Sequence, residues 1–328
     1  MANISTTYMG LSLKSPVIAG SSGITSSVRQ IAQLEKAGIG AVVLKSLFEE
    51  QINMEINHLI SSGNDNSAYP EAEDYIRNYT KTHSLNKYLE FIAEVKSTVS
   101  IPVIASINCI SSSDWINFAK DIAKAGADAL ELNIYELPQD RNREADYYEK
   151  KYIEILKKVK QAINLPISVK ISPYFTNLVR MVDQLYANGA AAVVLFNRFY
   201  EPDFDLETLE FASSEVMSSP SDLSRCLRWT GIVKGQLPAV EIAASTGIHD
   251  GYAAVKQLLA GAQVVQLCST LYLNGPDVTR KIEMEIVEFM DKWNFDTIDD
   301  FRGRLSYAKI KSPDVYERAQ FLKYFSNK

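Results

Sequence analysis

The sequence predicts an α/β protein, a (β/α)8 TIM barrel over 1–328 as one domain, with long excursions after strands 2 and 6. Three observations point there. Short apolar, β-rich runs alternate with helical patterns along the chain, as βαβ units around a parallel sheet require. Eight such runs can be counted, the number that closes a barrel. Two strand-to-helix turns of small residues, Ser245-Thr246-Gly247 and Cys268-Ser269-Thr270, stand one βα unit apart near the C-terminal end. After strands seven and eight of a barrel such a pair is a common phosphate site, because backbone N–H groups gather where the helix dipole favours an anion. Two ordinary βα turns that bind nothing would show the same spacing.

The first strand is Pro16–Ala19, closed by the small-residue turn Gly20-Ser21-Ser22-Gly23, and a helix over about 27–37 leads to the second, Ala41–Leu44. Both are nearly all apolar, as expected of strands covered on two faces. The stretch from Phe48 to about His83 is rich in Asn, Ser and Glu with little periodicity. It reads as an irregular excursion over the barrel mouth, since loops of that length are usually functional or disordered. A helix over about 85–99 precedes strand three, Val103–Asn108. Ser113-Asp114 is the expected cap of the next helix and Gly126 its end. Strand four is Ala129–Asn133. A polar loop from Tyr135 to about Arg143 then opens a helix ending near Ile163, ahead of strand five, Ile167–Ile171. A helix to Ala187 and the break Asn188-Gly189 lead to strand six, Ala191–Phe196. The second excursion, Asn197 to Leu237, is expected to carry short strands of its own. Strand seven, Val240–Ala243, feeds the Thr246-Gly247 turn and a helix ended by Gly261. Strand eight is Val264–Leu267, followed beyond Pro276 by a helix to about Trp293 and an amphipathic tail.

Apolar residues make up 46% and charged residues 23% of the chain, an ordinary globular composition. A net charge of -6 argues against a nucleic-acid partner. Cys109, Cys226 and Cys268 are widely spaced, and three thiols without a CxxC pair suit a reduced, cytoplasmic protein. The three histidines show no ligand spacing, so no metal is expected. No apolar run reaches about 18 residues, which leaves no membrane anchor to expect.

In a barrel the strand C-termini face the active site. Here they carry Ser21, Lys45-Ser46, Asn108, Asn133, Lys170 and Asn197. Lysines, amides and hydroxyls without a carboxylate pair or histidine suit a polar, electron-rich ring bearing carbonyl and imide groups. They do not suit acid–base hydrolysis. Lys45 and Lys170 each end an apolar run, where an ammonium needs a partner. For Lys170 a buried lysine satisfied by backbone carbonyls is the competing reading.

The order of these residues resembles the dihydroorotate dehydrogenase family of FMN-dependent barrels, from SPVIAGSSG through LNGPDV. The likeness is strongest in TGIHDGYAAVKQLLAGAQVVQLCSTLYLNGP. There it implies an FMN phosphate held by Gly247, Cys268 and Ser269. VKISPY implies a flavin contact for Lys170, and VVLKS places Lys45 and Ser46 by flavin and substrate. ELN implies flavin and substrate contacts for Asn133, with Asn108 as a further flavin-side amide. Ser21 falls in the corresponding first-strand turn, VVLFN implies a substrate-side amide at Asn197, and Thr230-Gly231 is matched to a phosphate-side Ser-Gly.

Two departures stand out. The family's strand-four loop carries a Cys or Ser base, whereas this chain reads Asn133-Ile134-Tyr135-Glu136-Leu137-Pro138, so the base position either holds Glu136 or is lost. An ion pair of Glu136 with Arg141 or Arg143, or a solvent-facing carboxylate, is the competing reading. The family's N-x-x-G clamp for orotate is absent between Gln51 and Tyr79. The resemblance therefore implies an FMN-dependent dehydrogenase acting on a small anionic or imide-containing substrate. Glu136 and Lys45 are its catalytic candidates, Lys45, Asn133 and Asn197 orient the substrate, and a homodimer is left open. A dihydroorotate dehydrogenase with Glu136 as substituted base, an FMN-binding barrel without turnover, and a Schiff-base aldolase on Lys170 or Lys45 remain as alternatives.

Overall fold

The computed structural model describes residues 2–62, 70–109, 112–198, 201–213 and 215–317. The chain begins with a hairpin, β1 (Thr6–Tyr8) and β2 (Leu11–Leu13), and then enters the barrel. In order follow β3 (Val17–Ala19), α1 (Val28–Ala37), β4 (Val42–Val43), β5 (Leu47–Phe48), α2 (Glu49–Ser62), α3 (Pro70–Thr98) and β6 (Val103–Asn108). Next come α4 (Ser112–Lys124), β7 (Ala129–Asn133), α5 (Ala145–Ala162), β8 (Ile167–Ile171), α6 (Leu178–Ala187) and β9 (Ala192–Leu195). After the hairpin β10 (Pro202–Asp205) and β11 (Glu210–Ser213) the chain continues with α7 (Leu223–Gln236), β12 (Glu241–Ser245), α8 (Gly251–Ala260), β13 (Val264–Leu267), α9 (Ser269–Asn274) and α10 (Val278–Trp293).

Eight strands, β3, β4, β6, β7, β8, β9, β12 and β13, pair in parallel, and β13 against β3 closes the ring. The expected (β/α)8 barrel is present, and the second strand resumes as β5 after a break at residues 44–46. Alternation along the strands sorts the side chains. Leu130 and Leu132 pack outward under the helices, while Ala129, Ala192, Val194, Ala243 and Val264 fill the barrel interior. The interior cluster ends on Tyr8, Met9 and Leu13 of the N-terminal hairpin, which plugs the bottom.

The two excursions depart from expectation in different ways. The first is helical: α2 turns Ile52 and Ile56 inward, both buried, and α3 continues to Thr98. Ile52, Ile56 and Ile60 repeat every four residues, a helical stripe that the surrounding polar residues mask in the sequence. The span 63–69 lies outside the described residues. The second excursion does carry short strands, β10 and β11, but it also contains α7, whose apolar spacing is weak. The helix after strand three starts at Ser112, so Asp114 lies in its first turn, where its carboxylate pairs with Lys81 at 2.5 Å. Gly126 ends it with φ +94°, as expected. The helix after strand seven does not spring from Thr246-Gly247; it begins at Gly251, capped by the Asp250 side chain, which accepts from the Ala253 N–H at 2.7 Å. Among the described residues no helix is long and apolar enough to cross a membrane.

Candidate active site

The inward parity that packs the barrel also builds its mouth. Two residues above the apolar layers the interior turns polar: Ser106, Glu131, Ser168 and Gln266 are all 0–1% exposed. The register sets Ser106 beside Glu131, Glu131 beside Ser168, and Asn133 beside Lys170. One inward step higher, Asn133 and Lys170 face the opening.

Two hydrogen-bond chains cross this mouth. The Ser46 hydroxyl lies 3.1 Å from that of Ser21 and 2.6 Å from that of Ser106, and the Ser46 N–H donates to Ser21 Oγ at 2.9 Å. Asn133 Nδ2 donates to Ser46 Oγ at 3.5 Å, and Asn197 Nδ2 donates to Asn133 Oδ1 at 2.8 Å. The break in the second strand would strand the backbone of Ser106, but Tyr88 of α3 meets it. Its hydroxyl accepts from the Ser106 N–H and donates to the Ser106 carbonyl, both at 3.0 Å.

An open cavity of about 360 Å³ runs from Lys170 to the paired turns, lined by Ser21, Asn197, Ser218, Gly247, Gln266, Cys268 and Ser269 among others. Lys170 is buried, yet its ammonium makes no hydrogen bond or ion pair with a described residue. At the other end hydroxyls and backbone donors collect. The Ser218 N–H donates to Ser269 Oγ at 2.9 Å, the Gly247 N–H to Ser218 Oγ at 3.4 Å, and His249 Nε2 lies 3.2 Å from that same hydroxyl. The Ser269 and Thr270 N–H groups, in the first turn of α9, have no partner within their helix. Thr246 and Gly247 both take positive φ, +84° and +77°, a conformation that costs a β-branched residue energy and is typical of functional turns. Cys268 touches this cavity. Burial pushes its thiol up, against the pull of Lys170 and with a smaller push from Glu131.

Lys45 does not point into that cavity. It is exposed beside Ser46 in a second one of about 310 Å³, walled by Leu47, Phe48 and Ile52 and by Lys87 and Phe91 of α3. Asn108 is buried and lines a third cavity, of about 690 Å³, under the strand-four loop.

Three of the expected residues, Glu136, Thr230 and Gly231, are not brought to the site. Glu136 is clasped by Lys151 and stands 4.0 Å from Arg143, which also binds Asp140 at 3.1 Å. A carboxylate held by two cations, in the third cavity rather than at Lys170, is not placed to take a proton at the mouth. Thr230 and Gly231 lie inside α7, where the helix uses their backbone groups. Thr230 Oγ1 faces Cys226, and Gly231 packs against Tyr316. Ser218, rather than Thr230, lies at the paired turns, where its hydroxyl accepts from the Gly247 N–H. Sequence reasoning also missed Glu131, Gln266 and Ser106; each is a lone polar residue at inward parity in an apolar strand, which is the signal that could have found them.

The sequence pattern of the dihydroorotate dehydrogenase family matches residues 3–290. The chain is 24% identical over 314 residues to the dihydroorotate dehydrogenase B (NAD(+)) catalytic subunit of Thermoplasma volcanium, covering 92% of this chain and 98% of that one. It is 26% identical over 299 residues to dihydroorotate dehydrogenase A (fumarate) of Limosilactobacillus reuteri, covering 89% and 94%. The catalytic subunit of the B enzyme from Methanocaldococcus jannaschii is 23% identical over 316 residues, covering 92% and 97%. With a closed barrel, a lysine and two asparagines at its mouth, and a family match over most of its length, the chain belongs to the dihydroorotate dehydrogenase family.

Proposed function

We propose that the protein is an FMN-dependent oxidoreductase of the dihydroorotate dehydrogenase type, acting on a small anionic or imide-containing substrate other than dihydroorotate. The observation that carries this reading is the buried Lys170 ammonium without a partner, at one end of a cavity whose other end gathers the Ser218, Gly247 and Ser269 donors. The residues fit FMN: a cation for the electron-rich edge of the ring, and hydroxyl and backbone N–H donors for the phosphate. When bound, FMN supplies a two-electron acceptor for a hydride.

The chain's own residues do the rest. Lys170 would hold the ring edge on which negative charge develops when FMN is bound and reduced. Asn133 and Asn197 hold each other, leaving the Asn197 carbonyl oxygen as an acceptor for a substrate N–H. Lys45 offers a cation on the side of the second cavity, where an anionic group or an apolar extension of the substrate has room. The Ser46 hydroxyl, bonded to both Ser106 and Ser21, can pass a proton from the substrate face toward the mouth. Among the described residues Asn133 hydrogen-bonds to Ser46 and Asn197, neither of which is a strong base. Cys109, the thiol next to Asn108, is pushed well up by burial and then by Glu49 and Asp114. Dihydroorotate is thus a poor substrate here, since its dehydrogenation needs a proton removed as hydride leaves.

The test is anaerobic. The purified protein should be yellow with stoichiometric FMN, and dihydroorotate should bleach it slowly or not at all while another dihydropyrimidine or related reductant does so. A colourless protein that cannot be reconstituted overturns the cofactor; rapid bleaching by dihydroorotate overturns the substrate assignment.

A further inference from the structure

Beneath the mouth lies a charge that the proposed chemistry does not use. Glu131 is fully buried in the barrel interior, 0% exposed, and none of its contacts is an ion pair. One oxygen, Oε2, accepts from Gln266 Nε2 at 2.8 Å; the other, Oε1, has no partner, and neither has Gln266 Oε1. A carboxyl taken this far from water is tolerated with a compensating charge or by holding a proton, and a cation within reach favours the first. The hydroxyls of Ser168, its register neighbour, and of Tyr8, on which the Glu131 charge acts, could satisfy a lone pair but cannot balance charge. Lys170 follows Ser168 by one inward step on the same strand, roughly 6–7 Å along it, within the sweep of a four-carbon stem. It is the cation that also lacks a partner. Burial raises the Cys268 thiol, and the charges of both Lys170 and Glu131 act on it, which puts the two within electrostatic reach of one group.

We propose that Glu131 is the counter-charge of Lys170 and, through the Gln266 amide it locks, a positioning residue for the lysine that meets the ligand. Two orphaned acceptors below and one orphaned triple donor above make a unit that is neutral overall. Such a unit does not select a ligand that arrives as an anion. It selects a carbonyl-bearing ring that is neutral at rest and gains negative charge as it accepts electrons, because the lysine can then lean from Glu131 toward the new charge. This rests on the reading of Lys170 given above, and its decisive test is independent of any flavin.

The test is a double-mutant cycle on thermal unfolding of the apoprotein, with Glu131→Gln, Lys170→Met and the two combined. Lys170→Met leaves a buried carboxylate uncompensated and should lower Tm by roughly 6 °C or more. Adding Glu131→Gln should restore at least half of that loss. If Lys170→Met fails to fold, recovery of a cooperative transition in the double variant supports the pairing. Additive losses, or a double variant no better than Lys170→Met, overturn it and leave Ser168 as the group that satisfies Glu131. In FMN-loaded protein, Glu131→Gln should shift the flavin midpoint to a more positive potential and Lys170→Met to a more negative one. An unchanged midpoint in Glu131→Gln would reduce Glu131 to a structural role. Failure of the wild-type protein to bind FMN would overturn the proposed function, while the melting cycle still decides the pairing.

Discussion

At the scale of single residues, the phosphate end is best tested away from Gly247. A side chain there would stand 2.2 Å from the Leu223 backbone nitrogen, in a conformation at φ +77°, so any substitution damages the fold before it reports on a ligand. Ser269 is the cleaner probe. A glutamate at 269 can still accept from the Ser218 N–H, but it sets a carboxylate against the phosphate. Ser269→Glu should raise the Kd for FMN at least about a hundredfold while leaving the melting transition nearly unchanged, as read by fluorescence titration and thermal unfolding. Glu136 should behave in the opposite manner. Its ion pairs with Lys151 and Arg143 are partly open to solvent, so Glu136→Gln should cost no more than about 1 kcal/mol in denaturant unfolding and leave FMN content and turnover intact. A Glu136→Gln variant that stays folded and FMN-loaded but loses turnover would return the base to that loop.

At the scale of elements, the link between α3 and β6 is the one to break. Tyr88→Phe removes a hydroxyl that serves both backbone groups of Ser106 in a buried gap of the sheet. It should cost about 1–3 kcal/mol in urea unfolding, more than a lone side-chain hydrogen bond would. The same contrast explains what could be read in advance. β6, β7, β8 and β13 were legible to the residue, because a strand buried on both faces is written as a mostly apolar run closed by turn residues. The excursions were not. Helix α2 carries its signal in three isoleucines among polar residues, and the Tyr88 hydroxyl by which α3 fills the gap in the sheet is marked by no periodicity. The mouth was half legible. Asn133, Lys170, Asn197 and Ser46 end strands and could be found by counting. Ser218 lies in an irregular stretch whose path depends on β10, β11 and α7, so its place at the paired turns is not legible in the sequence, and the resemblance points instead to Thr230-Gly231, which lie inside a helix.

At the scale of the molecule, the candidate site lies at one end of the barrel and the N-terminal hairpin packs against the other. There Glu241, half-buried at the start of β12, accepts from the Met9 N–H at 2.6 Å and so ties the N-terminal hairpin to the barrel. Burial pushes its carboxyl up, against the pull of that N–H, Lys234 and Arg302. The folded protein then holds the Glu241 proton more tightly than the unfolded chain does. This group's contribution is therefore most favourable below the ordinary carboxylate value and is lost as pH rises through the raised one. Glu241→Gln keeps an acceptor for Met9 without the charge, and near pH 8 it should melt about 2–4 °C above the wild type. The difference should close as the pH falls toward 4.5, the ordinary value, in a series of melting curves.

That plug of Tyr8, Met9 and Leu13 bears on traffic as well as on stability. Among the described residues the base is sealed and the mouth is the doorway, so on the proposed function whatever reduces FMN would leave through the opening by which its oxidant enters. The two reactants cannot queue from opposite sides. Turnover on this scaffold becomes an alternation in which each partner vacates the threshold before the other is admitted, so an excess of either should obstruct the other, and double-reciprocal plots against both should run parallel.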